Sequence, residues 1–415
     1  MKDVIITRSA KRISVILIRI LLLLIPILTT IFIIGTHSDY LIKSYIKIIV
    51  LILNIVSLLA LLGAFVVLII NRNSGRVIRN KIRFWLANVV TMLLIIFCTG
   101  LLVLLYGPNN SFRDWLISTA MQTMHHQYYC RIFYNDQEIT ESMLRNYIIE
   151  SGEDTDPSLV DINNGVVYAN EYEKEILQKD SEEQLYKIIR FQVNNQDAFL
   201  AAVYDPSRVS VGYTKYLHKS GQYVTDMAKD AAAPLAINGG GFVDENYNSY
   251  GQTPIGVTIS HGKTITNSDN GYGSGGVIGF TNDNVLVLLK NKTAEQAKAM
   301  GVRDAVTMGP FLIVNGKPSF IKGNGGWGYA ARSAIGQRAD GTVLLLVIDS
   351  NETRTKGATM VDLTEIMQRY GAINAANLDG GTSSVMVENY QIINDPIDSA
   401  LRHKTRPIAT CWLVK

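Results

Sequence analysis

Three apolar runs before residue 110 constrain this chain most. Residues 13–35 contain one charge, Arg19, while residues 48–70 and 84–107 contain none. A run of roughly 20 apolar residues is long enough to cross the hydrocarbon core as a helix, the form in which a single segment satisfies its own backbone there. Helices inside a soluble core rarely reach this length uncharged. The first run is too long, and too closely followed by others, for a cleaved leader. Three transmembrane helices are therefore expected, making residues 1–110 a membrane anchor with lipid as a partner. Lys2, Arg8, Lys11 and Arg12 precede the first run, and Arg72, Arg76, Arg79, Lys81 and Arg83 lie between the second and third with no acidic neighbour. Basic residues mark the cytoplasmic side, so a multi-pass protein of the cell membrane is expected, with its C-terminal part outside. The net charge of +3 is then a topological signal, and no nucleic-acid partner is expected.

Residues 111–185 read as an extracytoplasmic helical stalk and linker. Phe112, Trp115, Leu116 and Thr119 fall near helical spacing, and His125 and His126 are adjacent, which points them apart on a helix. Residues 150–187 are polar, with Gly152, Pro157, Asn163, Asn164 and Gly165 as breakers. From about residue 186 the texture becomes that of an α+β domain: a strand-rich mixed sheet with few helices, following the three transmembrane helices. Short β-like runs occupy residues 188–193, 198–204, 285–289, 311–314, 343–348 and 408–414. Thr293 with Gln296 has the form of a capping box, the helix ending near Gly301. A second helix is expected from Thr359, ending before Gly371. Cys130 and Cys411 either pair or stay as buried thiols.

Four loops stand out beside these runs. AINGGGF at 236–242 places three glycines after a strand, where either the backbone approaches a ligand closely or the chain forms a structural bulge. Thr307-Met-Gly-Pro310 precedes another strand. The third is a glycine-rich stretch leading to Arg332 and Ser333, and a guanidinium there suits a phosphate or carboxylate. The fourth, AANLDGGTSS at 375–384, puts Asn377 and Asp379 on one face at a strand end. Asp349 ends the apolar run 343–348 in the same way. Two carboxylates at the ends of two apolar strands fit the pair that glycoside cleavage uses, and capping a turn through Asx hydrogen bonds is the alternative role for either one. The six histidines show no zinc-like spacing. No cofactor is expected, and calcium held by loop Asp and Asn residues is left open.

Taken together, AINGGGF, the Gly309-Pro310 turn, RSAIG followed by DGTVLLLVID, GATMVDLTEIM and NLDGGTSS resemble the phosphodiester glycosidase family over about residues 186–415. The apolar runs followed by FRDWLISTAMQTM are similar to membrane-anchored Gram-positive bacterial members. The resemblance implies a hydrolase cleaving a sugar-1-phosphodiester bond, with an envelope glycopolymer or exopolysaccharide as substrate. It implies Asp379 as nucleophile or base and Asp349 as its partner. Arg332 would be the phosphate clamp, with Asn238, Gly239, Gly240, Gly241, Asn377, Gly380, Gly381, Thr382 and Ser383 around the substrate. Two positions depart from the pattern. Asp349-Ser350-Asn351 stands where Asp-Gly-Arg is usual, so that either Arg354 supplies the arginine or that contact is lost, and Thr382 replaces a third glycine. A non-catalytic glycopolymer receptor and a scaffold for polysaccharide export are the competing expectations.

Overall fold

The run Val343–Ile348 is apolar at every position because both of its faces are buried. Val343, Leu345 and Val347 enter one core cluster, and Leu344, Leu346 and Ile348 enter another. In the computed structural model this strand lies inside a seven-stranded sheet. The order is Lys317–Pro318, Phe311–Val314, Ala372–Asn377, Arg332–Arg338, Val343–Ile348, Gln196–Val203 and Tyr186–Val193. The structure describes residues 110–415, apart from 123–126, 163–164, 166–167, 244–250, 269–274, 353–355 and 399, with a few helical positions before 107. Among these, every strand pair of the three larger sheets is antiparallel.

Helix Met360–Arg369 covers one face of the large sheet, capped by Thr359 and Asp362 in a reciprocal box. Its apolar side buries Met360, Leu363, Ile366 and Met367. The other face packs on two five-stranded sheets. One has the order Gln391–Ile392, Met386–Glu388, Leu235–Asn238, Thr410–Val414 and Val209–Tyr213, and is backed by helix Val224–Asp230. The other has the order Lys263–Asn267, Val257–Ser260, Val302–Met308, Gly276–Thr281 and Leu286–Leu289. Helix Ala294–Ala299, held by the Thr293–Gln296 capping box, packs on that sheet.

Two compact units are distinguished: Met1–Ile117 with Tyr128–Ser142, and Ser118–Gln127 with Met143–Lys415. In the first, Ser142 Oγ donates to Asp114 at 2.8 Å and Tyr106 Oη donates to the Phe133 carbonyl at 2.9 Å. The second takes in the stretch read as a linker. Helix Glu171–Leu177 inserts Ile176 and Leu177 into the core beneath helix Met360–Arg369. Strand Tyr147–Ile149 pairs with Phe320–Lys322.

The membrane expectation is corrected. Among the described residues no helix is long and apolar enough to cross a membrane. Asn110–Met121 has 12 residues, about 18 Å at 1.5 Å per residue, against a hydrocarbon core of about 30 Å. The described fold is thus the strand-rich domain without transmembrane helices, and the multi-pass placement is not retained. The runs 13–35, 48–70 and 84–107 lie outside the described residues apart from scattered positions, as do His125, His126 and Arg354. Cys130 and Cys411 are buried free thiols, not a disulfide.

Candidate active site

The four loops meet around Asn238, the last residue of strand Leu235–Asn238. Its side-chain amide donates to the Asp379 carbonyl at 2.7 Å, and its oxygen accepts from Ser333 Oγ at 2.7 Å and from the Val385 N–H at 3.1 Å. The Asp379 N–H reaches the Gly239 carbonyl at 3.2 Å. Asn377 donates to the Gly309 carbonyl at 2.7 Å, which ties in the turn containing the cis Gly309–Pro310 bond. Gly381 donates to Ala331 at 2.8 Å. Asn238, Ser333 and Asn377 are fully buried. Their hydrogen bonds therefore form a dry frame that fixes the loop bearing Asp379.

The Asp379 carboxyl projects from this frame, with 17% of its side chain exposed. Burial pushes its pKa up. The Arg406 charge, the Ser383 hydroxyl and the Gly380 N–H pull it back down. Arg406 bridges this group: its Nε donates to Ser383 Oγ at 2.8 Å and one Nη lies 3.5 Å from Asp379 Oδ2. The guanidinium stacks over the Phe242 ring at 4.6 Å. A carboxylate between a guanidinium and a hydroxyl is poised to accept a proton from water or to attack an electrophilic carbon.

Asp349 occupies the end of Val343–Ile348, two strands from Asp379 across Arg332–Arg338. Both its oxygens are engaged: Asn394 donates to one at 2.7 Å and the Asp395 N–H to the other at 2.9 Å. Burial raises its pKa to about 6 despite those bonds. Asn394 also donates to the Ser384 carbonyl at 3.1 Å, linking the two acid-bearing loops. Beyond it, the exposed His403 contacts the Asp395 carboxylate at 2.8 Å, and its pKa is raised by that partner.

Other expected residues turn out to be occupied by the fold. The amides of Gly239, Gly240 and Gly241 bond the Thr410 carbonyl, Thr410 Oγ1 and the Thr307 carbonyl, so they do not form an anion cradle. These glycines are needed for space: a Cβ at Gly240 would lie 2.5 Å from the Thr307 carbonyl oxygen. Arg332 is buried, and its donors reach the carbonyls of Ala358 (3.2 Å), Gly328 (3.1 Å) and Trp327. Burial lowers its pKa to about 10. Only Nη1, beside Gly380, is left toward the site. Thr382 donates to the Ile397 carbonyl at 3.3 Å. Among the described residues no group of three or more His, Cys, Asp or Glu side chains is placed to hold a metal ion. Arg406 and Asn394 escaped the sequence reading. The available signal was a basic cluster at 402–406 following Asp395 and Asp398.

Residues 231–415 match the family model of the phosphodiester glycosidases. One relative is the SPbeta prophage-derived uncharacterized protein YomE of Bacillus subtilis, 30% identical over 186 residues, covering 43% of this chain and 28% of that protein. Another is the N-acetylglucosamine-1-phosphodiester alpha-N-acetylglucosaminidase of Bos taurus, 33% identical over 69 residues, covering 17% of this chain and 13% of the relative. The chain thus spans less than a third of either curated relative. Among solved structures, the catalytic domain of the zebrafish N-acetylglucosamine-1-phosphodiester alpha-N-acetylglucosaminidase, auto-inhibited by its pro-peptide, is similar at a TM-score of 0.47 and 20% identity, covering 58% of this chain and 86% of that one. A putative exported protein of Burkholderia pseudomallei gives 0.41 and 16%, covering 53% and 74%.

Proposed function

We propose that the domain hydrolyses the bond between a sugar's anomeric carbon and a phosphate that is esterified again on its far side. Water supplies a hydroxyl to the anomeric carbon, and the phosphate monoester leaves with the electron pair of the broken C–O bond. That leaving group has a second pKa of roughly 6 and departs without full protonation. The site's main tasks are then to activate water or attack the carbon, and to hold the phosphate. Asp379 takes the first task. Arg406 takes the second. Asp349 is a partner acting through Asn394. The observation that supports this reading is the partly exposed Asp379–Ser383–Arg406 cluster on a dry frame, within a segment matching the phosphodiester glycosidases.

The substrate expected from the sequence, an envelope glycopolymer with a sugar-1-phosphate diester in its repeat, belongs to the same proposal. The test is incubation of the full chain with synthetic sugar-1-phosphodiesters that differ in the sugar, followed by detection of free reducing sugar and phosphate monoester. Release of both by the native protein, and loss of both in Asp379→Asn, is the expected result. A folded protein that binds these compounds and releases neither product would leave the non-catalytic receptor in place.

A further inference from the structure

A second concavity opens where the edges of two sheets diverge, between strand Tyr186–Val193 of the large sheet and the segment that follows Met386–Glu388. It is a cleft of about 440 Å³, within the size range of small-ligand sites. Tyr186, Ile188 and Arg190 alternate onto one face of their strand, and Phe199 lies opposite Arg190 on the neighbouring strand. Ile393 and Glu388 form the other wall.

The cations in this cleft are paired. Lys187 is 3.5 Å from Asp180, and Arg190 is bonded to Asp197 while lying over the Phe199 ring at 5.3 Å. Burial and the neighbouring Glu388 carboxylate push the pKa of the Tyr186 hydroxyl up. An anion would find no uncompensated cation here, and a purely apolar ligand would strand these polar groups. Hydroxyls over an aromatic and aliphatic floor satisfy both conditions.

Residues around the cleft are tied to Asp349. The Asp349 N–H donates to the Asp197 carbonyl at 2.9 Å, and Ile393 precedes Asn394, the residue that donates to the Asp349 carboxylate.

We infer that this cleft binds a neutral glycan chain, namely the sugar units next to the one cleaved. Its place in catalysis rests on the glycosidase reading, whereas glycan binding does not. The test uses the full chain and calorimetric titration with neutral tetrasaccharides of glucose, galactose and N-acetylglucosamine, against the corresponding monosaccharides. One tetrasaccharide is expected to bind better than its monosaccharide. Glu388→Ala, and Ile188→Trp as a blocking change, should each weaken it by about tenfold or more, equivalent to about 1.4 kcal/mol. Both variants should keep native activity on a single-sugar phosphodiester, and Asp379→Asn should bind the tetrasaccharide like the native protein. Failure of the whole panel to bind overturns the proposal, as does unchanged binding in both variants. Cleft-dependent binding without turnover of any phosphodiester would sustain the cleft and remove the glycosidase reading. Turnover without tetrasaccharide binding would do the reverse.

Discussion

Arg406 reaches Asp379 and Ser383 with the two donors of one guanidinium edge, Nη2 at 3.5 Å and Nε at 2.8 Å. Residues 27 positions apart thereby share one charge system, and Ser383 is held where its hydroxyl serves the Asp379 carboxylate. The planar fork makes this possible, and a lysine would reach only one of the two.

Replacing Asp379 with Asn should leave the fold intact, since the main-chain bonds to Asn238 and Gly239 remain. Turnover should fall by about 10²–10⁴-fold, the usual contribution of a positioned acid or base. Arg406→Lys should lose on the order of 1.5–3 kcal/mol in kcat/KM. It should also move the acid limb of the pH profile to higher pH if the ammonium does not restore the contact, because Arg406 holds the Asp379 pKa down. Steady-state kinetics between pH 4 and 8, with melting curves as the folding control, would show a flat response if Arg406 has no part in the site.

Arg332→Lys tests a different role. The guanidinium serves three carbonyls of the glycine-rich loop and its neighbour, and an ammonium cannot span them. Leaving buried acceptors unpaired costs about 1–3 kcal/mol, so the melting temperature should drop. Activity should fall by similar factors on a phosphodiester and on an aryl glycoside of the same sugar. A selective loss on the phosphodiester with unchanged melting would return Arg332 to the role of phosphate clamp.

Asp349 makes stability depend on acid pH in an unusual sense. Its pKa is about 6 in the fold, against an ordinary 3.8. The native state therefore holds more protons than the unfolded chain between these values, and stability falls as pH rises through that window. The contribution is fully present below pH 3.8 and is lost above about pH 6. At 1.36 kcal/mol per unit, it amounts to roughly 3 kcal/mol as an order of magnitude. Urea midpoints of the native protein and Asp349→Ser at pH 4, 5, 6 and 7 should differ in slope across this window. Parallel slopes would show that Asp349 titrates normally.

Truncation bears on the polar stretch before residue 186. Removing everything before Asp180 deletes Ile176 and Leu177 from the core beneath helix Met360–Arg369. Such a chain should aggregate or melt early, and the single change Ile176→Ala should cost about 2–5 kcal/mol. A truncated chain with native melting behaviour would show that this helix is dispensable.

The parts legible in the sequence are those whose signal is local. Phe311–Val314 and Val343–Ile348 were read to the residue because burial on both faces leaves an unbroken apolar run. The Thr293 and Thr359 caps declare their helices within four residues. The stretch at 150–185 was less legible, because its polar residues do structural work far away in the chain. The Glu150 carboxylate accepts the Gly275 N–H at 2.8 Å, and Thr155 Oγ1 accepts that of Leu288, on an edge strand, at 2.9 Å. The same holds at the site. Asp379 was visible beside its glycines, whereas Arg406 and Asn394 acquire meaning only once the second sheet brings them back. The Gly239–Gly241 run was read as a ligand cradle. Close packing against Thr307 and Thr410 is what requires it.

Strand Thr410–Val414 lies between Leu235–Asn238 and Val209–Tyr213, pairing with both. Those two partners are synthesised some 170 to 200 residues earlier and join one sheet only when it arrives between them. Assembly of that sheet is therefore a late, long-range event, and closing so large a loop before any contact rewards it slows folding. A nascent chain already containing Asp379 would have neither Arg406 nor the strand that pairs with Asn238. It would be inert toward substrate and would offer two unpaired strand edges to chaperones or to other copies of itself.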